Sequence, residues 1–196
     1  MSFNVVGYLI FAIVTSCTPG PNNLMLFSYG KAYGLKDSRK VMLGIFLGFV
    51  VELYLSGYGV AGIMTANATA GTILKVVGSC WMLYLAVLLR KINLSTEPQQ
   101  QPKIGFVQSF AQQFVNPKAW VMAISGASAF MPQFGNIHLN VFVYAMTFAV
   151  VGVPSMFLWL KAGDVIARFV KSKQHHVIVS YTLVLLMMIS VITIWM

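Results

Sequence analysis

Long apolar stretches alternate with short polar ones along the whole chain. Six stand out, at residues 3–29, 41–64, 72–89, 105–131, 138–160 and 177–196. Each is long enough, at 1.5 Å per residue, to cross a hydrocarbon core of about 30 Å as a helix. Lipid offers no partner for a free peptide group, which favours helices. A transmembrane barrel would need apolar and polar residues to alternate, and these runs do not. The pattern predicts an all-α membrane protein of six transmembrane helices.

The polar stretches alternate in charge. Lys31, Lys36, Arg39 and Lys40 lie between the first two segments, Arg90, Lys91 and Lys103 between the third and fourth, and Lys161, Arg168, Lys171 and Lys173 between the fifth and sixth. The intervening "TANATAG" and "PQFGNI" carry no Lys or Arg. The positive-inside rule places the basic stretches in the cytoplasm and both termini outside. The Pro- and Gln-rich "STEPQQQP" at residues 95–102 reads as a linker. It divides the chain into residues 1–94 and 105–196, joined by residues 95–104, with three spans on each side. An odd number of spans inverts the second half relative to the first, giving two inverted three-helix repeats, the layout of many secondary transporters.

Two spans are spoiled by polar residues and proline. The first contains "TSCTPGPNNL", with Pro19 and Pro21; the fourth contains "FVNPKAW", with Pro117. An interior proline removes a hydrogen bond and clashes with the preceding turn, costing about 3 kcal/mol. One such proline is most simply a kink satisfied by its neighbours. A pair in corresponding spans of two halves, the first and fourth helices both broken, points to a transport site. Thr18-Pro19 and Asn116-Pro117 each read as a cap followed by proline at the first helical position. Each would start a half-helix whose free N–H groups aim at mid-membrane, together forming a pocket suited to a carboxylate. Gly20, Asn22, Asn23 and Lys118 adjoin these breaks, the last three as further donors. Gln108, Gln112 and Asn116, spaced by four, share one helical face.

Of the four acids, Asp37, Glu97 and Asp164 lie in or beside basic stretches, whereas Glu52 lies inside the second span. It stands about 16 Å from the start of that span at 1.5 Å per residue. An ionised acid there costs at least ~2.5–3.5 kcal/mol. Gly44, Gly48, Glu52, Ser56 and Gly59 fall within roughly 120° of the helical wheel. That small, polar face turns Glu52 toward protein or a cavity. It would bind a substrate ammonium or carry a coupling proton; the structural alternative is a buried carboxyl bonded to a neighbouring helix, with Lys118 as a candidate partner.

The composition agrees: 58% of the 196 residues are hydrophobic, 9% are charged, and mean hydropathy is +0.79. A soluble domain is about a quarter charged. The net charge of +9 sits in clusters between apolar runs, without the basic stripe and interleaved aromatics of a nucleic-acid binder. Cys17 and Cys80 lie in apolar segments, where buried side chains and no disulfide framework are expected. The N-terminus lacks a basic region and a cleavage pattern, and reads as a first span instead of a signal peptide. His138, His175 and His176 fall at segment ends without ligands at metal spacing, so no metal, cofactor or enzymatic centre is expected. Trp81, Trp120, Trp159 and Trp195 read as interfacial belt residues where they fall near span ends. Pro154 reads as a kink or hinge, and Ala119, Ala123 and Ala127 as a packing face. These features favour a carrier of a small zwitterion or anion; a channel, a structural membrane protein or an importer would share the composition.

The stretches "TPGPNNL", "GLKDSRKVMLGIFLGF" and "FAQQFVNPKAW" resemble the LysE/RhtB superfamily of amino-acid exporters in motif, order and placement along the chain. The resemblance implies a six-helix exporter in the bacterial inner membrane, with both termini periplasmic. Its cargo would be an amino acid or derivative, exchanged for protons by alternating access, and its oligomeric state is left open. The motif carries over onto Thr18, Pro19, Gly20, Pro21 and Asn22, and onto Asn116, Pro117 and Lys118. Glu52 is a departure from it.

Overall fold

The computed structural model describes residues 3–59, 104–169 and 173–195, with Thr69, Thr72, Ile73, Val76, Ser79, Cys80, Leu83, Tyr84, Ala86 and Val87. Among the described residues all regular structure is helical. The order is α1 (Val5–Cys17), α2 (Pro21–Asp37), α3 (Arg39–Gly57), α4 (Phe106–Ala111), a 3-10 turn (Gln112–Val115), α5 (Pro117–Phe130), α6 (Ile137–Phe169) and α7 (Lys173–Trp195). The described residues of the third expected span are helical. The linker at 95–102 lies outside the described residues, as do Trp81, Arg90, Lys91, Glu97, Lys103 and Lys171.

Helices run further than the apolar segments. α2 continues to Asp37 with a turn at Gly34 (φ 69°), and α3 begins at Arg39. Lys31, Lys36, Arg39 and Lys40 thus lie in helical segments beyond the apolar run, those of α2 divided by a kink at Gly34. α6 likewise extends through Lys161 to Phe169, passing Pro154 without ending. Asn4 opens α1 by accepting from Gly7 N at 2.9 Å. Asn136 does the same for α6, its Oδ1 accepting from the backbone of His138 and Leu139.

Glycine lets backbones meet at two seams. A Cβ on Gly30 would stand 1.9 Å from Leu160 O, and one on Gly163 would stand 2.0 Å from Phe27 O. α2 and α6 therefore touch backbone to backbone, and Lys31 lies at the same end of the bundle as Gly163. On α3, a Cβ on Gly44 would meet Ser109 Oγ at 2.1 Å, and one on Gly48 would meet Gln113 Cγ at 2.5 Å. Ala119, Ala123 and Ala127 form the buried face expected of them.

At the other end of the bundle, Tyr8, Phe130, Tyr144 and Phe148 pack together. The Tyr8 hydroxyl donates to Tyr144 O at 2.7 Å and the Tyr144 hydroxyl to Ala123 O. The perimeter is apolar instead of polar: Val6, Ile10 and Val14 on α1, and Val150, Phe157 and Leu158 on α6, are exposed. A soluble monomer rarely presents such continuous apolar surface. α3 and residues 137–166 of α6 are also long and apolar enough to span a bilayer. These surfaces face lipid. Cys17 and Cys80 are exposed, contrary to the buried positions expected; an apolar run shows that a residue is in the membrane, not which side of its helix faces lipid.

Candidate functional site

Both interrupted spans are broken in the structure. α1 ends at Cys17; Thr18 (ψ 139°) and Gly20 (φ −171°, ψ 177°) are extended, and α2 opens on Pro21. The cap is Gly20, not Thr18, and the first helical proline is Pro21, not Pro19. The reason is steric: a residue before proline is pushed out of the α region. With two X-Pro pairs in succession, the chain stays extended until the second proline. The other break follows the sequence expectation. Asn116 (φ −88°, ψ 102°) is the cap and Pro117 the first residue of α5. Its side chain does not cap the helix; it reaches across to the first break.

Asn22 Nδ2 donates to Gln113 Oε1 at 2.8 Å, and Asn22 Oδ1 accepts from Gln113 Nε2 at 3.0 Å and Asn116 Nδ2 at 2.9 Å. In return, Lys118 Nζ donates to Thr18 O, Thr18 Oγ1 and Pro19 O at 2.7, 2.8 and 2.8 Å. Its three protons are thus occupied by the first break. Lys118 was a candidate partner for Glu52 and a candidate donor to a ligand; here it holds the negative end of α1, where a cation is favoured. The remaining end carbonyls of α1 are also met. Asn23 Nδ2 donates to Ser16 O and Thr18 O at 2.8 Å each, Ser155 Oγ to Ser16 O at 2.8 Å, and Trp159 Nε1 to Cys17 O at 3.3 Å. Trp120 Nε1 donates to Phe114 O at 3.1 Å. Trp120 and Trp159 therefore serve the breaks and are not simple belt residues.

Gln113 is fully buried and was not among the expected site residues. The spacing of Gln108, Gln112 and Asn116 assumed a continuous α-helix. The 3-10 turn at Gln112–Val115 changes the angular step, and Gln113 is brought to the interior. Gln112 is only half-buried, and Gln108 folds back to accept from Gly105 N at 2.7 Å.

A cavity lies where the breaks meet. Thr15, Ser16 and Gly20 to Asn23 line it from the first break, Asn116, Lys118 and Ala119 from the second, Ile45, Phe46 and Phe49 from α3, and Gly152, Ser155 and Met156 from α6. Thr18, Pro19, Gln112 and Pro117 are not among the residues that line it. Each helix start leaves backbone N–H groups without an intrahelical acceptor, and proline itself has none to offer. These are the groups of Asn22 and Asn23 on α2 and of Lys118 and Ala119 on α5, and all four residues line the cavity. Among the described residues the lining contains one cation, Lys118, and no acid. Two positive helix ends thus meet in an otherwise largely apolar chamber, an arrangement that favours a small anionic group.

Glu52 does not line this cavity. It is fully buried, and neither of its oxygens has a hydrogen-bond partner among the described residues.

The chain is 24% identical to the cysteine/O-acetylserine efflux protein of Klebsiella pneumoniae over 164 residues, 84% of each chain. It is 29% identical to the protein of that name from Salmonella typhimurium over 159 residues, 81% of each. With that of Escherichia coli K12 it shares 27% over 177 residues, 89% of this chain and 90% of the relative. No solved structure matches it. Residues 13–194 match the family described as LysE type translocator. With a match of that extent, on a helical bundle with a lipid-facing perimeter, the chain belongs to the LysE type translocator family of transport proteins, which are not enzymes.

Proposed function

We propose that this protein exports small amino acids or their derivatives across the bacterial inner membrane, in exchange for protons. The observation that carries the reading is the cavity between two broken helices, lined by first-turn residues of both. The carboxylate of the cargo sits against the N–H groups of Asn22, Asn23, Lys118 and Ala119. Its side chain lies against Ile45, Phe46, Phe49 and Met156. The names of the relatives make cysteine and O-acetylserine the first cargoes to try.

The chain then works as two inverted three-helix repeats, residues 1–94 and 105–196, with both termini in the periplasm. The basic ends of α2, α3 and α6 support that orientation through the positive-inside rule. The two breaks are tied to each other across the repeats, so a rocking of one half on the other would open the cavity alternately to the two sides. Thr18, Pro19, Gly20, Pro21, Asn116 and Pro117 shape the breaks; Gln113 and Lys118 hold them together.

Counterflow in proteoliposomes tests this reading. Trapped unlabelled cysteine or O-acetylserine should drive saturable uptake of the labelled compound. Unsaturable conductance would instead indicate a channel. Cells overproducing the protein should resist a toxic amino-acid analogue; accumulation would indicate an importer.

A further inference from the structure

We infer that Glu52 is the residue that takes up and releases the coupled proton, in a buried site on α3. The inference rests on the export reading above and names where its proton is carried. Gly44 packs against Ser109, and Gly48, four residues on, packs against Gln113, also four residues on. α3 and the α4 segment therefore run side by side in the same direction and in register. One further step of four along α3 reaches Glu52, while the facing segment beyond Gln113 reaches the break at Asn116 and Pro117. Buried side-chain oxygens without a partner among the described residues are Glu52 Oε1 and Oε2, Ser56 Oγ one turn on, and Asn116 Oδ1 at the break. They are 0%, 2% and 2% exposed by residue.

A carboxylate sealed in this way without a partner would cost several kcal/mol. In this conformation the carboxyl is neutral and holds its proton. To release it, the O–H bond breaks, the electron pair stays on the carboxylate, and the proton passes to water that must first reach the site. Water reaches it when the α4–α5 segment parts from α3. That segment is held by Gln113, which packs on Gly48 and bonds to Asn22. Opening the joint between the breaks and hydrating Glu52 are then one movement.

Among the described residues, the titratable or charged groups on the surrounding elements are bonded elsewhere or belong to other parts of the bundle. Lys118 on α5 is bonded to Thr18 and Pro19; Tyr8 on α1 and Tyr144 on α6 donate to Tyr144 O and Ala123 O. Tyr58 on α3 pairs with His138 at 2.9 Å. Tyr54 shares α3 with Glu52; Tyr29 and Lys31 on α2, and Lys161 and Asp164 on α6, stand toward the basic end.

The test is transport by Glu52→Gln protein in proteoliposomes. Accumulation driven by a pH gradient should be lost, while counterflow without a gradient persists. Glu52→Asp, which keeps a carboxyl, should retain gradient-driven accumulation with a shifted pH profile. Wild-type gradient dependence in Glu52→Gln overturns the assignment. So does loss of counterflow in folded Glu52→Gln, which would place Glu52 in cargo binding. Failure of wild-type counterflow would instead defeat the export reading itself.

Discussion

Asn22 and Lys118 hold the same place in their helices, one residue after the opening proline, and each bonds to the residues just before the other's proline. The two breaks are therefore one structure. Lys118 meets carbonyls at the end of the first break, and Asn22 ties the side chains of Gln113 and Asn116 at the second, so each break helps to hold the other in place. The residues that carry the helix-start N–H groups, Asn22, Asn23, Lys118 and Ala119, line the cavity.

Removing Asn22 should unsettle both sides of that exchange. Asn22→Ala leaves Gln113 Oε1 and Asn116 Nδ2 without the Asn22 side chain, while Gln113 Nε2 keeps Ser109 O. Each buried group left unpaired costs about 1–3 kcal/mol. The thermal midpoint of the purified variant should fall measurably; an unchanged midpoint would mean that the Asn22 bonds do not hold the breaks together.

Lys118 should be needed for its three-way contact as well as its charge. Lys118→Met removes the ammonium that bonds to Thr18 O, Thr18 Oγ1 and Pro19 O and loosens the end of α1. Hydrogen exchange at Thr18 N, which bonds to Val14 O at 3.0 Å, should quicken, and transport should fall. Unaltered exchange in that variant would contradict the assigned role.

Three glycines separate packing from function. Gly30→Ala and Gly163→Ala put a methyl group against backbone that cannot move aside, and should destabilise by about 1–3 kcal/mol. Gly152 lines the cavity, and a Cβ there meets nothing nearer than Ser16 Oγ at 3.6 Å. Gly152→Ala should keep the thermal midpoint and alter the cargo preference seen in competition assays. Equal destabilisation by all three would argue against a real cavity at Gly152.

Pro117→Ala restores an amide hydrogen and removes the clash that breaks the helix. The α4 and α5 segments should join more continuously, and the apparent affinity for cargo in counterflow should weaken. Wild-type affinity in this variant would count against a site built on the break.

The interruption itself was legible in the sequence because proline acts locally, and Asn116-Pro117 folds as its dipeptide implies. Thr18-Pro19 misleads for an equally local reason: a second proline follows, and the helix waits for it. Gln113 was hidden because its burial depends on a 3-10 turn that shifts the face by one residue, which no spacing of polar residues announces. The role of Lys118 could not be read either, since its acceptors lie 99 and 100 positions away in the chain. The burial of Glu52 followed from the small, polar face of its helix; its isolation from Lys118 became visible only when the fold showed where that ammonium goes.

The central claim is that paired helix starts recognise a carboxylate, and competition in counterflow tests it most directly. Cysteine and cysteamine differ by the carboxylate alone. Cysteine should compete with labelled O-acetylserine for transport, and cysteamine should not. Equal competition by cysteamine would show that the two helix ends do not select the cargo.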